Sequence, residues 1–218
     1  MRISDRFILK PDFYNLGELG LDYKDLLTYI TIRSFYNSKS KYCYPSYRAI
    51  SNLSGLSVNF ISKSIRRLKN AGLINVWAVG KRRFAYWYSF AETLAVSKVP
   101  YTLFKEECLS SCEKAMLILL SEYCKSGWCA NTLDEIAHKS GLTHKVIHSH
   151  YTDLKLKGFI TETLFENVLD GTLSQEFTFS EKLGWDFNQY ESYEEPVRLS
   201  VEDMFKIYHN HKRTQIRL

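Results

Sequence analysis

Apolar residues recur at helical spacing between residues 57 and 72. Ile61, Ile65 and Leu68 lie three or four positions apart, and most positions between them are polar. This pattern predicts a helix of about 14 residues that buries one face. Ser57 precedes the pattern and is placed to cap the first turn of that helix.

A shorter helix and a hairpin are predicted on either side. Ser46 is placed to cap a helix over 47–53, and Gly55 to end it in the left-handed conformation that glycine adopts at little cost. Beyond Gly72, the segments INVWAV, GKRR and FAYWYSF indicate a strand, a turn and a strand, with aromatic residues alternating onto one face.

The same pattern occurs twice in the chain. Residues 44–74 align with residues 130–160 at a constant offset of 86, so that Ser54-Gly55-Leu56 matches Ser140-Gly141-Leu142. Helix-like stretches also correspond upstream of each copy. The chain is therefore predicted to contain a duplicated unit.

Each copy resembles the winged helix-turn-helix family, in particular the form found in replication initiators of plasmids and phages and in small bacterial regulators. The resemblance is carried by Pro45-Ser46, by the Gly55-Leu56-Ser57 turn and by the exit Leu68-x-x-x-Gly72-Leu73-Ile74. It implies a mainly α fold with small β-hairpin wings, of class α+β, in two tandem domains with a C-terminal helix.

Four parts of the chain are expected from these patterns. They are an N-terminal arm (1–20), a first winged helix-turn-helix domain (21–95), a second one (96–184), and a linker with an amphipathic C-terminal helix and a basic tail (185–218).

Charge divides the chain into a basic and an acidic half. Residues 1–100 contain 16 Lys and Arg against 6 Asp and Glu, whereas residues 101–218 contain 13 against 18. A basic half favours an acidic partner, most commonly nucleic acid.

In the implied fold, the second helix of the helix-turn-helix enters the major groove of double-stranded DNA. The outward residues of this helix that suit base edges are Asn59, Lys63 and Arg66. Backbone phosphates are assigned to small hydroxyl side chains and to further cations. These are Ser46, Ser57, Ser62, Arg67 and Lys69, together with Lys81, Arg82 and Arg83 of the wing.

The second copy is expected to differ in its role. Its hairpin, residues 160–180, has acidic residues and no Lys or Arg, so phosphate should repel it. Possible DNA contacts on its helix are Thr143, His144, Lys145 and His148. The alternative is that this copy serves as a dimerisation or partner module, and this alternative is slightly favoured.

The sequence favours a binding protein over an enzyme. It has neither a phosphate-cradling loop nor a nucleophile elbow. His144 and His148 lie four apart without the Glu of an HExxH motif, and the cysteine spacings fit zinc sites poorly. No metal or cofactor is therefore expected.

We therefore expect a sequence-specific double-stranded DNA-binding protein of a bacterial mobile element, acting in transcriptional control or replication initiation. The alternative is a protein-interaction adaptor within a larger nucleoprotein assembly. A homodimer or a protein partner is possible through the second domain or the C-terminal helix. The absence of a long apolar run predicts a cytoplasmic protein, associated with the nucleoid or an episome, with no membrane partner.

Overall fold

The computed structural model describes residues 7–11, 13, 15–79, 85–91, 96–124, 128–129, 131–166 and 173–185. Over these residues the fold is α+β, with small antiparallel hairpins, as the sequence predicts. The helices are α1 (Tyr23–Ser34), α2 (Tyr47–Ser54), α3 (Val58–Asn70), α4 (Ser111–Ser121), α5 (Leu133–Ser140) and α6 (His144–Leu156). The strands are β1 (Phe7–Pro11), β2 (Ile74–Val79), β3 (Ala85–Phe90), β4 (Val96–Pro100), β5 (Trp128–Cys129), β6 (Ile160–Glu166) and β7 (Leu173–Phe179).

The predicted helix-turn-helix forms where the local signals place it. The hydroxyl of Ser46 accepts a hydrogen bond from the Ala49 amide and caps α2. Gly55 ends α2 with a φ of 74°, and Ser57 then caps α3. These caps satisfy amides that the first turn of a helix leaves without a partner.

A hairpin follows α3, and a third segment extends it. Strands β2 and β3 pair in antiparallel register, with Trp77 opposite Trp87. Cys43 exchanges two backbone hydrogen bonds with Tyr88. The segment before α2 therefore lies beside β3, and the wing sheet is three segments wide.

Residues 111–179 repeat this order of elements. Helices α4, α5 and α6 are followed by the paired strands β6 and β7, and β5 pairs with β7. Cys129 lies opposite Phe177, 86 positions after the Cys43 that lies opposite Tyr88. The repeated sequence thus accompanies a repeated arrangement of helices and strands.

The two halves share one apolar core. Helix α1 packs on α4, and ten of the twelve residues of α1 are buried. Eight successive residues of α4, 113–120, are buried too. A helix that is buried on nearly every face needs neighbours on all sides. Helices α1 and α4 each pack against neighbouring elements from both halves of the chain.

The N-terminal segment is part of this core, although the sequence pattern set it apart as an arm. Strand β1 pairs with β4, which lies beyond the predicted boundary at residue 95. Phe13 and Leu16 are buried, and the buried Lys10 ammonium pairs with Glu122 after α4. The sequence did not reveal this pairing because the two strands are nearly 90 residues apart.

Gly141 allows a close approach between the halves. It ends α5 with a φ of 72°, and an added Cβ would lie 3.2 Å from the Gly17 Cα. We expect Gly141→Ala to lower the free energy of unfolding by about 2–4 kcal/mol, through left-handed strain and this clash. Urea denaturation measures the loss.

Gly72→Ala is the matched control for that substitution. Gly72 has the same φ of 72°, but an added Cβ would have no neighbour within 4 Å among the described residues. Gly72→Ala should therefore lower the free energy of unfolding by about 1–2 kcal/mol, which is the cost of holding a residue with a side chain in the left-handed conformation. Equal losses in the two variants would contradict the contact between Gly141 and Gly17.

Candidate nucleic-acid interface

Helix α3 exposes one polar face. Asn59, Lys63 and Arg66 are exposed, as the sequence predicts for residues that contact base edges. Ile61, Ile65 and Leu68 are buried on the opposite side and anchor the helix. Ser46, Ser57, Ser62 and Lys69, which were assigned to phosphates, are exposed as well.

This face is positively charged. Helix α3 has no acidic residue, and Lys63, Arg66 and Lys69 form no ion pair among the residues that the structure describes. Their charges are therefore available to an anionic partner. Exposed cations in this setting are the usual means of neutralising DNA phosphates.

Arg67 differs from the outward orientation that was predicted for it. Its Nε and one terminal nitrogen each donate a 2.7 Å hydrogen bond to the carboxylate of Asp25 in α1. The Asp25 side chain has no exposed surface, and the hydrogen bonds to it raise the pKa of Arg67. Arg67 thus ties α3 to α1, because the buried carboxylate needs a cation.

A groove separates α3 from the hairpin. Arg66 and Lys69 lie on its helix side, and Val76, Trp77 and Tyr86 lie on its strand side. Tyr47 of α2 stacks on Tyr86, with ring centroids 5.4 Å apart. The stacking joins the hairpin to α2 of the helix-turn-helix, beside the cations of the groove. The three cations assigned to the wing, Lys81, Arg82 and Arg83, lie outside the described residues.

The corresponding face in the second half of the chain is less positive. Thr143, His144, Lys145 and His148 are all exposed on or before α6. The His144 Nε2 lies 3.4 Å from a carboxylate oxygen of Asp134. Lys155 occupies the position that corresponds to Lys69, and it pairs with Glu162 of β6. The residue of the first half that corresponds to Glu162 is the uncharged Val76.

One residue of this face was missed by the sequence reasoning. Val58 is the first residue of α3, and this residue is 44% exposed beside Asn59. An apolar side chain there suits the methyl group of thymine. Its place immediately after the capping Ser57 is the signal that could have identified it.

Metal-binding clusters and membrane-spanning helices are absent from the described residues. Within the described ranges, no three His, Cys, Asp or Glu side chains are grouped so that they could hold a metal ion. In the same ranges, no helix is both long enough and apolar enough to cross a lipid bilayer.

Comparison with known families supports the assignment of the first half. Residues 19–74 match the family model described as a helix-turn-helix domain, a range that includes α1, α2 and α3. No curated protein matches the chain. Residues 19–74 are thus similar to a DNA-binding helix-turn-helix domain, and α3 is the helix that follows its turn.

Proposed function

We propose that this protein binds double-stranded DNA in a sequence-specific manner, with α3 in the major groove. Asn59, Lys63 and Arg66 read base edges, and Ser46, Ser57, Ser62 and Lys69 contact phosphates. The observation that carries the proposal is the row of exposed, unpaired cations on the helix that follows the turn. Arg67 is left out of the interface because Asp25 holds it.

We further propose that the two halves are tandem winged helix-turn-helix units with different roles. The first unit binds DNA. The second supports it, because α4 packs on α1, and α1 in turn packs on α3. The ion pair of Lys155 with Glu162 and the Asp134 carboxylate beside His144 reduce the positive charge that α6 offers to phosphate. This division of roles favours the partner-module alternative for the second unit.

The biological role that we propose is transcriptional control or replication initiation on a bacterial mobile element. It rests on the resemblance of residues 44–74 to initiators and regulators of plasmids and phages. The competing function is a protein-interaction adaptor. The basic face of α3 argues against it for the first unit, since an adaptor has no need for three unpaired cations in a row.

Selection of bound sites from random duplexes tests the proposal. The full-length protein should enrich one sequence motif, and binding to that motif should outlast nonspecific binding as salt is raised. Failure to enrich any motif, with all binding lost at moderate salt, would contradict sequence reading and favour the adaptor.

Arg66→Ala and Lys69→Ala separate base contacts from phosphate contacts. We expect Arg66→Ala to cost about 1–3 kcal/mol of discrimination at one base pair of the selected site. Lys69→Ala should weaken binding to all duplexes alike and reduce the salt slope by about one. Titration of the selected duplex and of its single-base variants measures both effects. If Arg66→Ala weakened binding to every duplex by the same factor, Arg66 would contact phosphates and not base edges.

A further inference from the structure

The outer face of the first wing has a row of aromatic rings. Trp77 and Trp87 are paired across the hairpin, with ring centroids 6.3 Å apart. Because Cys43 pairs with Tyr88, the residues on either side of Cys43 lie on the face that Trp87 occupies. The Tyr44 ring lies 5.6 Å from the Trp87 ring, and Tyr42 stacks on Trp87 at 4.4 Å. We call these four side chains the aromatic platform.

The platform is held rigidly, yet one of its rings is open to solvent. The backbone of Cys43 donates to and accepts from Tyr88 at 3.0 and 2.8 Å, and the Cys43 side chain is buried. Tyr44 is nevertheless 66% exposed, with its ring against Trp87. A large aromatic ring fixed in this way offers contact area at little cost in conformational entropy.

Positive charge lies beside the platform. Lys39 and Lys41 are exposed in the turn that leads to Tyr42. The Asn37 side chain accepts a hydrogen bond from the Lys39 amide, and the Asn37 carbonyl accepts one from the Lys41 amide. Neither this turn nor the strands of the wing, over 35–44, 74–79 and 85–91, includes an acidic residue. The surface is therefore both aromatic and basic.

We infer that the aromatic platform binds an unpaired nucleic-acid strand. Bases stack on the open face of Tyr44, and Lys39 and Lys41 contact the phosphates. A basic surface with exposed aromatic rings is the arrangement by which proteins bind single strands, whereas the bases of a duplex are already stacked on one another. An acidic protein partner would use the lysines but would leave the exposed Tyr44 ring unexplained.

This activity differs from the proposed binding of duplex DNA. The platform occupies the outer face of the wing, and Arg66 and Lys69 of α3 lie along the groove at its inner face. Trp77 lies at the rim of that groove and also contacts Trp87. The two surfaces thus adjoin at Trp77. A strand released from a duplex bound at α3 would have a basic, aromatic surface next to it.

The experiment measures the binding of fluorescent oligothymidine of about twelve nucleotides to the full-length protein at low salt. An abasic strand of the same length is the control, because it has the phosphates without the bases. We expect the oligothymidine to bind at least about tenfold more tightly than the abasic strand and to quench tryptophan fluorescence. Tyr44→Ala should weaken its binding by roughly 5- to 100-fold, and Tyr44→Phe, which keeps the ring, should not.

Two matched variants separate this inference from the proposed function. Arg66→Ala should leave oligothymidine binding unchanged while it alters duplex recognition, and Tyr44→Ala should leave duplex binding unchanged. Thermal unfolding of Tyr44→Ala serves as the check on its fold. Equal binding of the abasic strand, or wild-type affinity in a folded Tyr44→Ala, would overturn the inference even if duplex binding is confirmed. Absence of any binding to oligothymidine would also overturn it and would favour a protein as the occupant.

Discussion

Replacing Arg67 by alanine is expected to lower the free energy of unfolding by about 3 kcal/mol, whereas replacing the adjacent Arg66 should change it by less than about 0.5 kcal/mol. Arg67 is the cation that neutralises the buried Asp25 carboxylate. Without it, the only hydrogen bond left to the carboxylate from the residues that the structure describes is the one from the Asp22 amide. A buried charge without its partner typically costs 3–5 kcal/mol, and the 31% exposure of the Arg67 side chain places the loss at the lower end.

Arg66 is the matched control because it belongs to the same helix and has the same charge. It is exposed and lies in the groove between α3 and the hairpin, so its loss should affect DNA binding and leave stability unchanged. Urea denaturation with duplex titration measures both properties for both variants. If the Arg67→Ala variant kept the stability of the wild type but bound DNA more weakly, the assignment of Arg67 to the core would be contradicted. Arg67 would then belong to the DNA interface.

The second large effect is expected in α4. Leu117 is fully buried in the helix that packs on α1. Leu117→Ala should cost about 2–5 kcal/mol, through lost apolar burial and the cavity that remains. Because the two halves share one core, the variant should still unfold in a single transition at a lower urea concentration. The second half would then determine the stability of the half that binds DNA.

Leu156→Ala is the control for this experiment. Leu156 belongs to α6 and is 82% exposed, so its truncation should change the free energy of unfolding by less than about 0.5 kcal/mol. Unfolding followed by tryptophan fluorescence and by far-ultraviolet circular dichroism should give coincident curves. Two separate transitions, with Leu117→Ala shifting only one of them, would contradict the shared core.

The elements of the helix-turn-helix could be predicted because their signals are local. Ser46, Gly55 and Ser57 determine where α2 and α3 begin and end through caps and a left-handed turn within a few residues. The exposed face of α3 follows from the spacing of its apolar residues. These features require no knowledge of distant parts of the chain, so the sequence pattern is sufficient for them.

Features that join distant residues could not be predicted in this way. Arg67 and Asp25 are 42 positions apart, and the spacing of Arg67 on α3 gives no sign of its partner. The same holds for the pairing of β1 with β4 and for the packing of α1 on α4. The aromatic platform depends on the pairing of Cys43 with Tyr88, which no local signal indicates.

The most direct test of the central claim replaces purines of the selected duplex, one at a time, by their 7-deaza forms. The change removes the N7 acceptor from the major groove and leaves base pairing and the minor groove intact. If α3 reads base edges in the major groove, replacements at the contacted purines should weaken binding by roughly 5- to 100-fold. In a protein variant that lacks the contacting side chain, the same 7-deaza replacements should not weaken binding any further. Unchanged affinity at every purine position would contradict the insertion of α3 into the major groove.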